Sequence, residues 1–239
     1  MSARILETRG LTMRFGGVVA VDRVDFTLKE AELRCLIGPN GAGKSTFFKC
    51  LTGQLRPTDG EVLFRGRSLV GAGSHDIARR GVGIKTQVPN VFDGLTVRDN
   101  VWLAAARVHP GRLADRKTDE TMEQVAVTHL AGRLVGELAH GQRQLVELAM
   151  VVAPEPDLIL LDEPAAGMTD DEVDRLVTLI KELNEDHAVV VVEHDMQFIR
   201  RVAKRVTVFY QGGILVEGDV ADILADPRVR DVYLGKQAA

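Results

Sequence analysis

The 239-residue sequence is poor in cysteine and aromatics, with two cysteines, one tryptophan and two tyrosines. Cys35 lies in the apolar run "LRCLIG" and Cys50 in "FFKCLTG", without paired spacing. That excludes a disulfide framework or a cysteine metal site, and reads as two small buried hydrophobes of a reducing compartment. No run reaches the roughly 18 apolar residues of a membrane span, and "MSARILETRG" lacks an apolar signal core. The expectation is a soluble, cytoplasmic chain. Thirty Lys and Arg against 34 Asp and Glu leave a net charge of −4, so there is no excess of positive charge. This excludes a general attraction for nucleic acid or anionic lipid. Internal repeats and low-complexity segments are absent, while 45% hydrophobic residues suffice for one sizeable core.

What is there is a series of short β-branched runs bounded by turn residues: "VDFTLKE", "ELRCLIG", "GEVLFRG", "GVGIKT", "DLILLDE", "AVVVVEH" and "RVTVFYQ". Of these, "LRCLIG", "LILLD" and "VVVVE" are apolar on successive residues, as strands covered on both faces of a parallel sheet require. The alternating "VDFTL" and the "GG" turn of "VFYQGGILVEG" indicate antiparallel edge ribbons. Between Gln87 and Pro154 helical spacing replaces the strand signal. The fold expected is an α/β phosphate-loop nucleotidase core, mostly parallel, with an antiparallel β edge subdomain and an inserted helical subdomain. The core would be drawn from 1–87 and 155–239 and the insertion from 88–154.

The segment "GPNGAGKST", residues 38–46, satisfies G-x-x-x-x-G-K-[ST] between a buried strand and a helix. Gly38, Pro39, Asn40, Gly41, Ala42 and Gly43 would curl so that backbone N–H groups face an anion, with the helix dipole behind them. Lys44 can then reach the β- and γ-phosphates, Ser45 can ligate Mg²⁺, and Thr46 adds a hydroxyl. The buried run "LILLDEP" delivers Asp162 as a metal partner and Glu163 as a general base polarising a water. An apolar strand gives two terminal acids no structural purpose. His194 ends the strand "VVVEHDM", at the edge where ligands of open α/β sheets collect, with Glu193 and Asp195 able to set its tautomer. The Gln87 amide, at a strand end before the insertion, can touch Mg²⁺ or the attacking water. Phe15, before Gly16 and Gly17, either stacks on adenine or belongs to the core.

In "GELAHGQRQLVEL", Leu145, Leu148, Ala149 and Val152 fall on one helical face, so a helix should begin near Gln142. Its start lacks a Ser, Thr, Asp or Asn cap and puts His140 and Arg143 at the positive end of the dipole. Either Arg143 simply pairs with Glu147 one turn on, or an anion sits at the helix start. Further along, Thr169 and Glu172 form T-x-x-E, a capping box opening another helix.

Taken in order, these elements resemble the nucleotide-binding subunits of ABC transporters over essentially the whole chain. "GPNGAGKST" is similar to their phosphate loop, Gln87 to the Q-loop glutamine, "LAHGQ" to the signature loop, "LILLDEP" to the second acidic motif and His194 to the switch histidine. Within the family, "FGGVVAVDRVDF", "DEPAAGMTDDE", "VVVEHDM" and "DPRVRDVYLG" resemble ATPase subunits of branched-chain amino acid and urea importers, and "ELRCLIGPNGAGKS" with "AGMTDDE" tilts toward the urea or amide branch. The resemblance implies a homo- or heterodimer with a second ATPase subunit, closed head to tail over two ATP molecules with Mg²⁺ at Ser45, Gln87 and Asp162. Ala139, His140, Gly141 and Gln142 would then act in trans on the partner's γ-phosphate. Permease subunits would hold the dimer at the inner face of the membrane and link it to a solute-binding protein, with no nucleic acid involved. Val91, Phe92 and Trp102 offer apolar contacts to the permease, although packing within the insertion accounts equally well for Trp102. An exporter ATPase, or one of DNA repair or translation, is the alternative. Three departures stand out: Ala139 and His140 replace the family's Ser and Gly, 166–169 replace its Ser-Ala-Leu-Asp, and Thr86 stands where these importers commonly have Phe.

Overall fold

A computed structural model describes residues 3–87 and 90–234. Val88 and Pro89 of the expected permease-facing stretch, and Gly235 of the tail motif, lie outside the described residues. The chain forms two units, one drawn from 1–77 and 188–239, the other from 78–187.

The first unit opens with β1 (Arg4–Phe15) and β2 (Val18–Lys29), an antiparallel hairpin whose two-residue turn is Gly16–Gly17. β1 goes unread in the sequence because Gly10, at φ 54°, bulges it and shifts the register between Thr8 and Leu11, which breaks the alternation. Then follow β3 (Leu33–Ile37), α1 (Lys44–Leu51), β4 (Asp59–Phe64), β5 (Arg67–Ser68) and α2 (Ser74–Arg79). The second unit holds β6 (Val82–Lys85), α3 (Val97–Ala106), α4 (Arg112–Gln124), two 3₁₀ turns, α5 (His140–Val152), β7 (Leu158–Asp162) and α6 (Asp170–Asp186). The chain returns to the first unit through β8 (Ala188–Val192), α7 (Met196–Val202), β9 (Arg205–Tyr210), β10 (Gly213–Asp219), α8 (Val220–Ala225) and α9 (Pro227–Leu234).

In the first unit β2-β1-β4-β5 form an antiparallel sheet, and β10-β9-β3-β8 form a second in which β3 runs parallel to both β8 and β9. β3 and β8 are buried at every residue, as their unbroken apolar runs require. β10 pairs antiparallel with β9 through Gln211 and Gly212, both at positive φ (49° and 82°). This is the two-residue hairpin geometry, set one residue earlier than the "GG" pair suggests. Phe47 seats α1 in this core, edge-on to Phe26 at 5.6 Å and tilted against Phe209 at 5.0 Å.

In the second unit β6 and β7 pair in parallel, and from Asn90 to Pro154 the described residues build helices and turns, with an isolated antiparallel bridge between Thr96 and Leu134. Thr169 and Glu172 do form the capping box of α6, and Thr96 with Asp99 forms another at α3. The result is an α/β fold with parallel strands, an antiparallel sheet and a helical segment.

Candidate functional site

The phosphate loop leaves β3 at Gly38 and enters α1 at Lys44 through three left-handed glycines, Gly38 (φ 149°), Gly41 (77°) and Gly43 (105°). Gly38 admits no side chain because a Cβ would collide with the Phe209 carbonyl, and at Gly43 one would lie 2.5 Å from Ala20 O. Gly41 has open space around it, so only its φ demands glycine. The loop is braced from β9–β10: Gly212 donates its N–H to Ala42 O at 2.9 Å and accepts from Asp22 N–H at 2.8 Å. Lys44 is buried and folds back so that Nζ donates to Gly38 O (2.5 Å) and Pro39 O (3.1 Å). No acid stands in the first turn of α1, and Asn40 and Ser45 are exposed beside half-buried Pro39 and Thr46. An ammonium, a helix N-terminus and free hydroxyls around an open curl fit a polyphosphate.

On the same unit Phe15 is 47% exposed at the β1–β2 turn, so it is not a core residue. His194 is also exposed, just past β8. The expected tautomer partners behave differently. Asp195 caps α7 by accepting from Gln197 N–H at 2.8 Å. Buried Glu193 accepts the His194 backbone N–H at 3.1 Å and stays 3.8 Å from Nδ1.

In the second unit β7 is buried throughout and delivers Asp162 at its last residue. Glu163 follows at φ 47°, a left-handed conformation costing about 1–2 kcal/mol for a residue with a Cβ. Its Oε2 accepts a hydrogen bond from Gln87 Nε2 at 3.1 Å. The expected base and the expected Q-loop amide are therefore in direct contact, across 76 residues of sequence. A residue held in such a conformation is a candidate for a functional role, because strain of this kind clusters at active sites.

The helix expected near Gln142 begins at His140, with Ala139 as its N-cap. Ala139 has no side-chain acceptor, but Gln142 supplies the return half of a cap, its Oε1 accepting the Ala139 N–H at 3.2 Å. His140 Nε2 lies 3.1 Å from Ala166 O and 3.2 Å from Gln144 Nε2. It donates to the carbonyl in one tautomer and accepts from the amide in the other, so the ring is held within its own unit. Two readings need correction. Arg143 does not pair with Glu147; its guanidinium donates to Asp93 Oδ1 at 2.7 Å, while Glu147 faces Lys85 at 3.3 Å. The helix start is also not without an anion, because the Glu172 carboxylate lies against Gly141. Helical spacing alone cannot tell which non-local element faces a given side chain, so Asp93, Lys85 and the Glu172 contact went unread.

Among the described residues no three His, Cys, Asp or Glu side chains group to hold a metal. Ser45 in the first unit, and Gln87 and Asp162 in the second, carry hydroxyl, amide and carboxylate oxygens, hard donors of the kind that suits Mg²⁺.

Fold and site define an ATP-binding cassette, and the chain belongs to the ABC transporter family, whose model matches residues 21–166. A second, the branched-chain amino acid ATP-binding cassette transporter family, matches 214–239. The chain is 37% identical to the high-affinity branched-chain amino acid transport ATP-binding protein BraF of Pseudomonas aeruginosa, over 99% of this chain and 100% of that one. A crystal structure of the ADP conformation of an ABC transporter cassette superposes with a TM-score of 0.86 at 25% identity, covering 98% of this chain and 100% of that one. A dimeric post-hydrolysis cassette bound to ADP and Pi gives 0.81 at 25% identity, covering 90% and 99%. The chain is an ABC ATPase. Among its described residues no helix is long and apolar enough to cross a membrane.

Proposed function

We propose that this ATPase powers uptake of branched-chain amino acids, or of small amide solutes such as urea, as one of two cassettes docked on membrane permeases that receive solute from a binding protein. The observation that carries the catalytic part is the Gln87–Glu163 hydrogen bond on a strained, strand-terminal carboxylate. Glu163 takes a proton from water as its oxygen bonds to the γ-phosphorus and the bond to the ADP oxygen breaks, and Gln87 aims the carboxylate meanwhile. Lys44 and the loop N–H groups draw off charge on the phosphates, and His194 orients the γ-phosphate. Ser45, Asp162 and Gln87 would hold Mg²⁺, which when bound neutralises charge on the β- and γ-oxygens. Phe15 stacks on adenine. Gly38, Pro39, Asn40, Gly41, Ala42, Gly43 and Thr46 line the phosphates, while Ala139, His140, Gly141 and Gln142 meet the partner's nucleotide. Phe92 and Trp102, 54% and 39% exposed, support a permease-facing role for their segment.

The test is Glu163→Gln, which keeps the shape and removes the base. ATP binding should persist while turnover falls about 10³-fold, roughly 4 kcal/mol of barrier. Near-normal hydrolysis would overturn the assignment. In the reconstituted transporter, stimulation of hydrolysis by leucine-loaded or by urea-loaded binding protein distinguishes the solutes.

A further inference from the structure

Between the end of α4, the first turns of α5 and one face of α6, the second unit encloses a cavity of about 440 Å³, in the size range of small-ligand sites. α4 closes in a reversed turn. Val127 donates its N–H to Met122 O at 2.9 Å, and Ala126 takes the left-handed conformation, φ 58°, that usually falls to glycine there. The turn leaves Ala126 exposed and buries Val125 and Val127 on either side of it. Those two, with Leu130, Leu145 of α5 and Leu179 of α6, give the cavity its apolar lining.

The charges on its rim come from α6. Arg175 and Glu182 both line the cavity, both are exposed, and they stand seven residues apart, about 10 Å along the helix axis. That is two turns, beyond the one-turn spacing at which helix side chains pair. Among the described residues neither side chain has a hydrogen bond or an ion pair. A phosphate would meet the carboxylates of Glu172, Asp174 and Glu182 against one guanidinium and the His129 ring, so a strongly anionic ligand is disfavoured. A simple amine would leave Arg175 without an anion, and a hydrocarbon would use neither charge. A zwitterion with an aliphatic body uses the whole lining. Its carboxylate suits the fork of Arg175, its ammonium faces Glu182, and its side chain lies on the valines and leucines. The charged ends of an α-amino acid, with one hydrogen bond at each, bridge roughly 9 Å, which matches the spacing on α6.

We propose that this cavity binds a free aliphatic amino acid of the leucine type, and that its occupancy is felt at the start of α5. Gln142 and Glu172 line the same cavity. Gln142 Oε1 caps α5 by accepting the Ala139 N–H, and the Glu172 carboxylate lies against Gly141. An amino acid seated between α5 and α6 therefore touches the groups that shape the α5 start and braces one helix against the other. The site stands on the cavity alone, whereas its signalling rests on the function proposed above, in which the α5 start meets the partner's nucleotide. The ATPase would then sense the class of solute that it imports.

The test is a ligand-observed NMR titration of leucine into the full chain, with an expected dissociation constant of about 1 mM. Isopentylamine lacks the carboxylate, 4-methylpentanoate the ammonium and glycine the aliphatic chain; each should bind about ten-fold more weakly. Arg175→Gln/Glu182→Gln should weaken leucine at least as much, while stability and leucine-free turnover stay at wild-type values, because both side chains are exposed and touch no reacting atom. Hydrogen exchange places the ligand: leucine should raise protection at 124–130 in the wild type and not in the double variant. No saturable binding of leucine, or equal binding by the double variant, would overturn the site. Saturating leucine should also lower wild-type turnover about two-fold and leave the double variant unchanged; unaltered wild-type turnover with leucine bound would overturn the signalling. The titration needs neither permease nor nucleotide, so it fails separately from the proposed transport. Leucine bound here, with hydrolysis stimulated only by urea-loaded binding protein, would keep the site and correct the solute.

Discussion

The carboxylate of Glu172 rests against the α-carbon of Gly141, so that a Cβ at 141 would enter the van der Waals envelope of both its oxygens. Glu172 is not free to retreat. Its Oε2 accepts the Thr169 backbone N–H at 2.9 Å and the Thr169 hydroxyl at 3.1 Å, which is the capping box that starts α6. The start of α5 thus faces a negative charge from its own unit before any phosphate arrives. Glycine at 141 permits this close approach.

Gly141→Ala should therefore cost about 1 kcal/mol of stability through the lost cap of α6, with its effect seated in a different helix from the substitution. Glu172→Ser alone loses the same return bond. In the double variant the two costs should fall well short of adding, because the collision is gone, and a double-mutant cycle by denaturant unfolding measures this. Gly141→Asp goes further, placing like charge against Glu172 and against phosphate. It should abolish ATP-driven dimerisation of the Glu163→Gln variant, followed by size-exclusion chromatography, whereas Ala139→Ser should be tolerated.

The parts of this site that were legible in the sequence are those whose chemistry is local. Gly38 to Thr46 spell a loop between a strand and a helix, Asp162 and Glu163 end a run with no reason to be acidic, and Thr169 with Glu172 is a cap whose two members stand three residues apart. What local pattern does not encode is who faces whom. Arg143 and Glu147 lie at the right spacing to pair, yet Glu147 is buried against Lys85 at the end of β6, and Arg143 reaches instead to the exposed carboxylate of Asp93. β1 was hidden by Gly10, whose bulge hands its N–H to Asp25 Oδ1 at 2.6 Å and throws the side chains out of phase.

The left-handed backbone of Glu163 predicts a trade between stability and activity. Glycine adopts φ 47° without a Cβ penalty, so Glu163→Gly should raise the melting temperature by a few degrees, about 1 kcal/mol, while turnover is lost with the base. Thermal unfolding of nucleotide-free protein is the measurement. A lower melting temperature would show that the Gln87 hydrogen bond outweighs the strain.

Phe15 separates nucleotide stacking from folding. Because the ring is half exposed at a hairpin turn, Phe15→Ala should leave stability within about 0.5 kcal/mol of wild type. Loss of a base–aromatic stack should weaken ATP binding by about 1–3 kcal/mol, which Phe15→Trp would restore. Inorganic triphosphate, having no base to stack, should bind both proteins alike; equal weakening for triphosphate would move Phe15 out of the adenine site.

The thiols and the tail tyrosine fix how the protein responds to alkali. Burial pushes the Cys50 thiol from 9.0 up to about 11, and raises Cys35 further, with the Glu193 charge adding to the effect. Burial also pushes the Tyr233 hydroxyl from 10.0 up to about 12. In each case the native state holds its proton more tightly than the unfolded chain. The contribution is complete below the unfolded value and is lost as pH rises through the folded one. Stability should therefore fall from about pH 9 upward, the Cys50 share being lost by about 11 and the Tyr233 share by about 12, while the Cys35 share continues to be lost beyond them. Cys50→Ala and Tyr233→Phe should each make the fall shallower over its own range, while the share of Cys35 remains in both, as followed by denaturant unfolding against pH. At pH 8 neither cysteine should react with a thiol reagent until the protein is unfolded, since the thiolate fraction is what reacts. Rapid modification of native protein would place Cys50 in a more open setting than its burial against α1's own core indicates.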